Sequence, residues 1–283
     1  QSLKPGGMFY TAQSGLWQTV WMEIVPVNYI EQIFYHTDYD QGLVHLKVLT
    51  QHSAPVECVI SGKDMEPVCI NGMTNSELIV SLPDFHPWTP EDPFLYLVSL
   101  KSSADRVSSY FAMRKCDIQT APDGTQRFFL NNKPYFQAGV LDQGYWPDSL
   151  LTAPDDEAFI KDIQLIKQMG FNGVRKHQKV EDPRFLYHAD RMGLLVWGEI
   201  GSAYVYSPNV ACRLYREWQE AVLRDINHPC IVAWTPLNES WGVPAIHTDP
   251  AQQAHCQALY HLTRSLDPTR PVICNDGWEH TGG

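Results

Sequence analysis

Between about residue 136 and residue 276, strand-like and helix-like patterns alternate along the chain. Five short apolar runs are predicted to be strands, and helical periodicity follows each of the first four. In the first helix, for example, apolar residues recur every three or four positions, at Phe159, Ile163, Ile166 and Met169. Because strictly alternating strands and helices build a parallel sheet, this region is predicted to be either a doubly wound open sheet or a (β/α)₈ barrel.

Polar and aromatic residues follow the predicted carboxyl end of each of the five strands. In chain order they are Asp142, Gln143 and Trp146; Arg175 and His177; Trp197 and Glu199; Asn238, Glu239 and Trp241; and Asn275, Asp276 and Trp278. Barrel enzymes build their active sites at this edge, and the first strand lacks the G-x-G-x-x-G of dinucleotide-binding folds. The pattern therefore favours the (β/α)₈, or TIM, barrel.

The length of this region limits how much of a barrel it can form. A complete barrel takes roughly 250 residues, but far fewer follow the change of pattern near residue 118. We therefore expect residues 118–283 to form the N-terminal part of a TIM barrel with about five strands, and the chain to be truncated.

The first 115 or so residues are predicted to be all-β. LVHLKVL and TVWMEIV alternate apolar and polar positions, and turn-like clusters such as SGKDMEP separate the runs. Short strands at this spacing are typical of a β-sandwich. A small hairpin around Asn131 and Asn132 is predicted to lead into the first barrel strand.

Charge and cysteine usage exclude several classes of function. The formal net charge of −11 argues against nucleic acid and anionic membranes as partners. No apolar run is long enough to span a bilayer, and the N-terminus lacks the pattern of a signal peptide. The seven cysteines are widely spaced without a C-x-x-C pair, which indicates free thiols in a reducing compartment. We therefore expect a cytoplasmic protein with no cofactor and no metal site.

Glu239 is the strongest candidate for chemistry, because it lies between an amide and a tryptophan in the stretch IVAWTPLNESWG. Apolar neighbours raise the pKa of a carboxylic acid and so suit it to general acid catalysis. Glycoside hydrolysis needs such an acid and a second carboxylate, and Asn238 can bond a sugar hydroxyl. The alternative is that the Asn-Glu pair only caps the following turn.

The remaining candidates each have a structural alternative. Arg175 either pairs with Glu199 or orients a catalytic carboxylate, and Glu199 either binds substrate or balances Arg175. His177 is either a substrate contact or a satisfied histidine of the barrel rim, since no second histidine lies two residues away to form a metal site. The tryptophans are either platforms for a sugar ring or rim packing: Trp146, Trp241 and Trp278.

NHPCIVAWTPLNESWG resembles the acid/base signature of glycoside hydrolase family 2, which contains β-galactosidases, β-glucuronidases and β-mannosidases. Other segments match the family in the expected order. SGLWQTVWMEIV resembles the last strand of its jelly-roll sugar-binding domain, WTPEDPFLYLVSL and YFAMRKC its immunoglobulin-like sandwich, and RFFLNNKPYFQAGV, FNGVRKH and DRMGLLVWGEI its barrel strands. The resemblance implies a jelly-roll end at residues 1–26, an immunoglobulin-like sandwich at 27–117 and the barrel at 118–283.

The resemblance also implies a retaining exo-β-glycosidase with a covalent glycosyl-enzyme intermediate. Glu239 would protonate the leaving oxygen and then activate water, Asn238 would bond the sugar 2-hydroxyl, and Arg175 would hold the nucleophile. In the family, that nucleophile is a glutamate at the seventh barrel strand, which we expect to lie beyond residue 283. The chain as given is therefore expected to be inactive.

Some segments depart from the β-galactosidases of the family. VLDQGYWPD, RKHQKVED and EIGSAYVYSP replace their N-R-H-E-H-H-P, R-x-S-H-Y-P and magnesium-binding E-T-H sequences. A β-galactosidase-like activity on terminal β-linked sugars is the working prediction, with Asp142 and Asp276 as the candidates for replacing the lost sugar contacts.

Two other classes of protein remain as alternatives. A noncatalytic carbohydrate-binding protein could use the same rim, and a metal-dependent barrel hydrolase would need clustered histidine and aspartate ligands. For the glycosidase and for the noncatalytic binding protein, the predicted partner is a carbohydrate. A homo-oligomer is compatible with the sequence.

Overall fold

The computed structural model describes residue 6, residues 10–277 and residues 279–280. Seven antiparallel strands form two sheets in the N-terminal half of the chain. The first sheet has the order β1-β2-β5, with β1 Gln32–Asp38, β2 Leu43–Leu49 and β5 Glu77–Ser81. The second has the order β4-β3-β6-β7, with β3 Pro55–Ser61, β4 Val68–Met73, β6 Tyr96–Ser102 and β7 Asp105–Phe111.

The two sheets share one apolar core, as the alternating sequence predicts. In β2 and β6, every second side chain is buried, and Leu46, Ile60 and Leu100 are fully enclosed. Side chains from both sheets contribute to this cluster. The alternation fixes the register, because a shift of one residue would turn the apolar set towards water. The predicted β-sandwich is thus present at residues 30–113.

A short three-stranded sheet connects the sandwich to the second half of the chain. It consists of β8 Cys116–Thr120, β9 Gln126–Leu130 and β10 Lys133–Pro134. Asn131 and Asn132 join the last two strands with φ angles of 53° and 63°. Two successive positive φ angles are typical of a type I′ hairpin turn, which asparagine tolerates well. The hairpin predicted around these two residues is confirmed.

Four parallel strands in the order β11-β12-β13-β14 form the second half of the chain, and a helix follows each of them. The strands are β11 Gly139–Asp142, β12 Gly173–Lys176, β13 Leu195–Glu199 and β14 Ile231–Thr235. The helices are α1 Asp156–Gln168, α2 Pro183–Met192, α3 Pro208–Asp225 and α4 Pro250–Leu266. This is the alternating α/β arrangement that the sequence predicts.

The helix boundaries follow from local capping. At the start of each helix, a side-chain oxygen accepts a hydrogen bond from a backbone N–H of the first turn, at Asp155, Asp182, Ser207 and Asp249. Proline follows the cap in the last three helices, where its missing N–H costs no hydrogen bond. The inner helix faces then pack on the sheet in one core with Phe159, Phe185 and Trp218.

Two strand predictions need correction. The segment TVWMEIV forms no strand in the structure: it has no partner strand within the described residues, and Trp21, Met22 and Ile24 are 71%, 91% and 100% exposed. Alternation alone does not make a strand, because the backbone needs a neighbour to bond. The predicted fifth barrel strand is only partly confirmed. Within residues 271–276, isolated parallel bridges link Val272 to Trp234 of β14 and Asp276 to Asn238, which lies just beyond β14.

The sandwich and the α/β region share a buried polar interface around Asp190. The carboxylate of Asp190 accepts a hydrogen bond from the Tyr110 hydroxyl at 2.7 Å and lies 2.6 Å from Nδ1 of His228. Trp88 of the sandwich donates its indole N–H to the Asp190 carbonyl at 2.8 Å. His228 therefore has a structural role at the amino end of β14, away from the carboxyl edge that carries the candidate site.

Candidate active site

Arg175 is the centre of the candidate site, at the carboxyl edge of the parallel sheet. Its Nε donates to Oε2 of Glu199 at 2.7 Å, one terminal nitrogen pairs with the carboxylate of Asp276, and the other donates to Oδ1 of Asn238. One guanidinium thus joins the ends of β12, β13, β14 and the segment after α4. The predicted strand ends do converge, because parallel strands present their carboxyl ends at one edge.

Glu199 is held as a structural partner of Arg175. Its side chain is fully buried, and its second oxygen accepts a hydrogen bond from the backbone N–H of Gln178 at 2.7 Å. Burial raises the pKa of Glu199, and the neighbouring Arg175 opposes that rise. The ion pair that we considered for these two residues is present, while the orientation of a catalytic carboxylate by Arg175 stays a prediction.

The backbone at Glu239 is strained. Glu239 and Ser240 have φ angles of 49° and 61°, a left-handed conformation that costs roughly 1–2 kcal/mol per non-glycine residue. Backbone strain of this kind clusters at functional sites when the surroundings impose it. Here the surroundings are the segment after α4, and Gly277 has no room for a side chain, since a Cβ there would lie 2.8 Å from Cα of Glu239.

Three hydrogen bonds hold this turn in place. The Glu239 N–H donates to the Asp276 carbonyl at 2.6 Å. Asn275 accepts from the Ser240 N–H through Oδ1 and donates to the Ser240 hydroxyl through Nδ2, each at 2.9 Å. Asn275 is fully buried and acts as a clamp on the turn. The sequence pattern places Asn275 at a strand end but does not mark it as a site residue, since its role depends on contacts with a residue 35 positions away.

The side chain of Glu239 differs from the other carboxylates at this edge. Asp142, Glu199 and Asp276 are each paired with a cation. The half-buried carboxylate of Glu239 accepts no hydrogen bond from residues 10–277, 279 or 280. It is therefore free to exchange a proton with a bound molecule, as a general acid must.

Asn238 offers a free donor beside this carboxylate. The residue is fully buried, its backbone N–H donates to the Ser202 hydroxyl at 3.1 Å, and its Oδ1 is occupied by Arg175. Its Nδ2 has no partner among the described residues. Because a buried donor without a partner costs about 1–3 kcal/mol, the geometry favours a ligand that accepts a hydrogen bond here.

The other predicted residues on the β11 side are held by protein contacts. Asp142 accepts from Lys176 Nζ at 2.5 Å and from the Gly144 N–H at 2.7 Å, and although burial alone raises the pKa of Asp142, Lys176 brings it below its usual value. His177 contacts the Gln143 amide through Nδ1 at 2.8 Å. Both residues remain at the rim, where their predicted substrate contacts stay predictions.

The three predicted tryptophans fall in different places. Trp241 follows the Glu239 turn, and its ring meets that of Tyr204 edge to face at 4.9 Å. Trp146 packs against Phe159 of α1, with ring centres 6.3 Å apart, which is the rim packing that we considered as its alternative role. Trp278 lies outside the described residues.

A buried ionic cluster beside the site was missed by sequence reasoning. Lys176 and Lys179 bind the carboxylate of Glu181 at 2.7 and 3.1 Å, and Lys176 also lies 4.0 Å from the centre of the Phe185 ring. The sequence offers one sign of this cluster, since Lys176 ends a short buried strand and Lys179 follows three positions later. Lysines near short strands usually face solvent, however, so the pattern does not predict burial. Their role here is to hold Asp142 and the loop after β12.

Within the described part of the chain, no group of three or more histidine, cysteine, aspartate or glutamate side chains is arranged to hold a metal ion. In the same part, no helix has the length and apolarity needed to cross a membrane.

The comparisons with known proteins agree on one family. Residues 124–281 match the family model described as glycosyl hydrolases family 2, TIM barrel domain. The β-glucuronidase of Rattus norvegicus is 30% identical over 275 residues, which cover 92% of this chain and 41% of that protein. The β-glucuronidase of Homo sapiens is 27% identical and is also covered to 41%. The chain thus spans less than half the length of these curated relatives.

Solved structures show the same architecture. A β-glucuronidase of Faecalibacterium prausnitzii superposes with a TM-score of 0.74 at 27% identity, over 88% of this chain and 42% of that one. A β-glucuronidase from Ruminococcus gnavus in complex with D-glucaro 1,5-lactone gives a TM-score of 0.77 at 18% identity, over the same shares. With a barrel-domain match over more than half of its residues and a 30% identical relative along nearly its whole length, the chain belongs to glycoside hydrolase family 2.

Proposed function

We propose that this chain carries the acid/base half of a retaining exo-β-glycosidase active site. The observation that carries the proposal is that the Glu239 carboxylate has no ion-pair partner among the described residues, at an edge where Asp142, Glu199 and Asp276 each pair with a cation. Because no cation of the described residues holds it, the Glu239 carboxylate can interact with a bound substrate instead of a protein partner.

In the proposed mechanism, Glu239 protonates the oxygen of the leaving group and later removes a proton from the attacking water. Nδ2 of Asn238 donates to the sugar 2-hydroxyl, a contact that strengthens in the transition state. Arg175 positions Asn238 by binding its Oδ1. A retaining mechanism also needs a nucleophilic carboxylate about 5–5.5 Å from the acid. We propose that it lies outside the 41% of the relatives' length that this chain matches.

The proposed substrate is a β-glucuronide, because the relatives from Rattus norvegicus and Homo sapiens compared above are β-glucuronidases. A β-galactoside, as the sequence suggested, is the second candidate. The charge of the site favours this neutral sugar, since the described cations Arg175, Lys176 and Lys179 already bind carboxylates. A uronate would need a further cation from elsewhere in the protein.

The domain boundaries are proposed as the family resemblance gives them, at 1–26, 27–117 and 118–283. A three-stranded sheet packed on a four-stranded sheet supports an immunoglobulin-like assignment of the sandwich. Four parallel strands and the bridged fifth segment support a partial barrel of about five strands.

The test is hydrolysis of p-nitrophenyl β-glucuronide and p-nitrophenyl β-galactoside by the gene product that carries these residues. We expect Glu239→Gln to lower kcat about 10²- to 10⁴-fold, the range of a general acid. Glu220→Gln, at an exposed position of α3, is the matched control and should retain full activity. A Glu239→Gln variant with more than half of the wild-type kcat would contradict the proposal.

The assays also separate the alternatives. A polypeptide limited to these 283 residues should release no p-nitrophenol, and turnover by it that Glu239→Gln abolishes would refute the proposed place of the nucleophile. Binding of D-glucaro 1,5-lactone by the whole gene product, without hydrolysis of any glycoside in a panel, would instead support a noncatalytic carbohydrate-binding protein.

A further inference from the structure

Cys256 and Cys274 bring two free thiols together next to the candidate active site. Cys256 lies on the buried face of α4, and Cys274 lies in the segment that bridges to β14. The Cys256 thiol donates a hydrogen bond to the backbone oxygen of Cys274 at 3.9 Å, so the two cysteines are in contact. They are 18 positions apart in the chain, so only the fold makes them neighbours.

The surroundings make Cys274 the more reactive of the two. The neighbouring Cys256 side chain, the His280 imidazole and the Asn275 backbone N–H favour its thiolate, so the pKa of Cys274 falls to about 6 despite partial burial. The proximity of Cys274, together with burial, raises the pKa of Cys256. A thiolate is the nucleophilic form of cysteine, so Cys274 is ionised near neutral pH while Cys256 keeps its proton.

The remaining cysteines have different environments. Cys58, Cys116 and Cys230 are buried, and burial raises the pKa of each. Cys69 and Cys212 are exposed. Cys69 lies beside Cys58, whose pKa it helps to raise, so the exposed Cys212 serves as the internal control.

We propose that Cys274 is a modification site for low-molecular-weight disulfides such as oxidised glutathione, and that Cys256 resolves the product into a Cys256–Cys274 disulfide. The Cys274 thiolate attacks one sulfur of glutathione disulfide, which forms a mixed disulfide and expels one glutathione thiolate. Cys256 then loses its proton to solvent and attacks Sγ of Cys274, which expels the second glutathione. The protein loses two electrons, and one glutathione disulfide becomes two thiols.

The modification would act on the candidate active site through the residues that follow Cys274. Asn275 clamps Ser240, and the Asp276 carbonyl accepts from the Glu239 N–H. A disulfide brings its two sulfur atoms to about 2.05 Å, which draws this segment towards α4. The disulfide itself does not depend on the proposed glycosidase activity, but its effect on hydrolysis rests on that proposed function.

The experiment equilibrates the protein in glutathione buffers of increasing oxidised fraction, then quenches it with acid, alkylates free thiols and maps the peptides by mass spectrometry. We expect a peptide linked through Cys256 and Cys274, while Cys212 stays predominantly alkylated. Cys256→Ser should stop the reaction at glutathione on Cys274, and Cys212→Ser should behave as wild type. Absence of the linked peptide in the wild-type protein at every ratio would overturn the proposal.

Two further measurements sharpen the test without any glycoside. Alkylation of Cys274 in the native protein should reach half of its maximal rate near pH 6, and a midpoint above pH 8 would refute the assigned reactivity. Amide exchange at Glu239 should be at least ten-fold faster in the oxidised protein, and unchanged exchange would refute the link to the site. An inactive protein that still forms the disulfide would contradict only the proposed glycosidase.

Discussion

Replacement of Arg175 by methionine tests the central feature of the site, one guanidinium shared by three residues. The variant keeps an unbranched apolar stem but removes the guanidinium that binds Glu199, Asp276 and Asn238. Asp276 is partly exposed and can be hydrated, whereas the carboxylate of Glu199 has no access to water. The main cost therefore falls on Glu199.

The expected loss is about 3–5 kcal/mol of unfolding free energy at pH 7, the usual cost of removing one partner from a buried ion pair. The pH dependence has a definite sign. Burial already raises the pKa of Glu199 and Arg175 opposes this, so the variant should raise that pKa further. A raised folded-state pKa contributes stability that is present below the unfolded value and is lost as the pH rises through the folded value. Acidification towards pH 5 should therefore restore part of the loss.

Urea denaturation followed by tryptophan fluorescence at pH 7 and pH 5 measures both effects. Arg213→Met, at an exposed position of α3, is the matched control and should stay within about 0.5 kcal/mol of wild type. Addition of Glu199→Gln to Arg175→Met should recover stability at pH 7, because no buried charge remains. A loss below 1 kcal/mol for Arg175→Met, or an equal loss at both pH values, would refute the reasoning.

Two other positions give independent tests of the interface between the sandwich and the α/β region. Burial lowers the pKa of His228, but the Asp190 carboxylate more than offsets this and leaves it above the usual 6.5. The pair should thus stabilise the protein fully below about pH 6.5 and less as the pH rises through the folded pKa. His228→Gln should flatten this dependence in urea titrations from pH 5.5 to 8.5, and an unchanged slope would contradict the assignment. In the same assay, Gly193→Ala should lower the free energy of unfolding by about 1–3 kcal/mol more than Gly124→Ala does. Both glycines have a positive φ, but only at Gly193 would the new Cβ meet a neighbour, the Pro90 carbonyl at 2.2 Å. Equal losses of stability in the two variants would contradict this, because they would show that the backbone at Pro90 moves to accommodate the new Cβ.

Much of the architecture could be predicted from local patterns. The helices begin where Asp or Ser precedes an apolar repeat, and α2 spans the predicted Pro183–Met192. The two asparagines of the β9-β10 hairpin are a local signal of the same kind. These features succeed because capping, turn geometry and periodicity depend on residues only a few positions apart.

The strand predictions that failed concern segments whose structure depends on long-range contacts. TVWMEIV has the alternation of a strand but no neighbour to pair with among the described residues. The predicted fifth strand reaches β14 only through isolated bridges, because its residues serve the Glu239 turn as well as the sheet.

The amino-acid sequence by itself determined the βα order, the edge at which the polar residues gather and the candidate acid Glu239. Only the tertiary structure decided that Arg175 binds Glu199, Asp276 and Asn238 at once, and that no cation of the described residues pairs with Glu239. The physical reason is the range of the interactions. Periodicity and helix caps depend on residues only a few positions apart in the sequence. The charge state and partners of a buried side chain depend instead on residues that only the completed packing brings within about 3 Å.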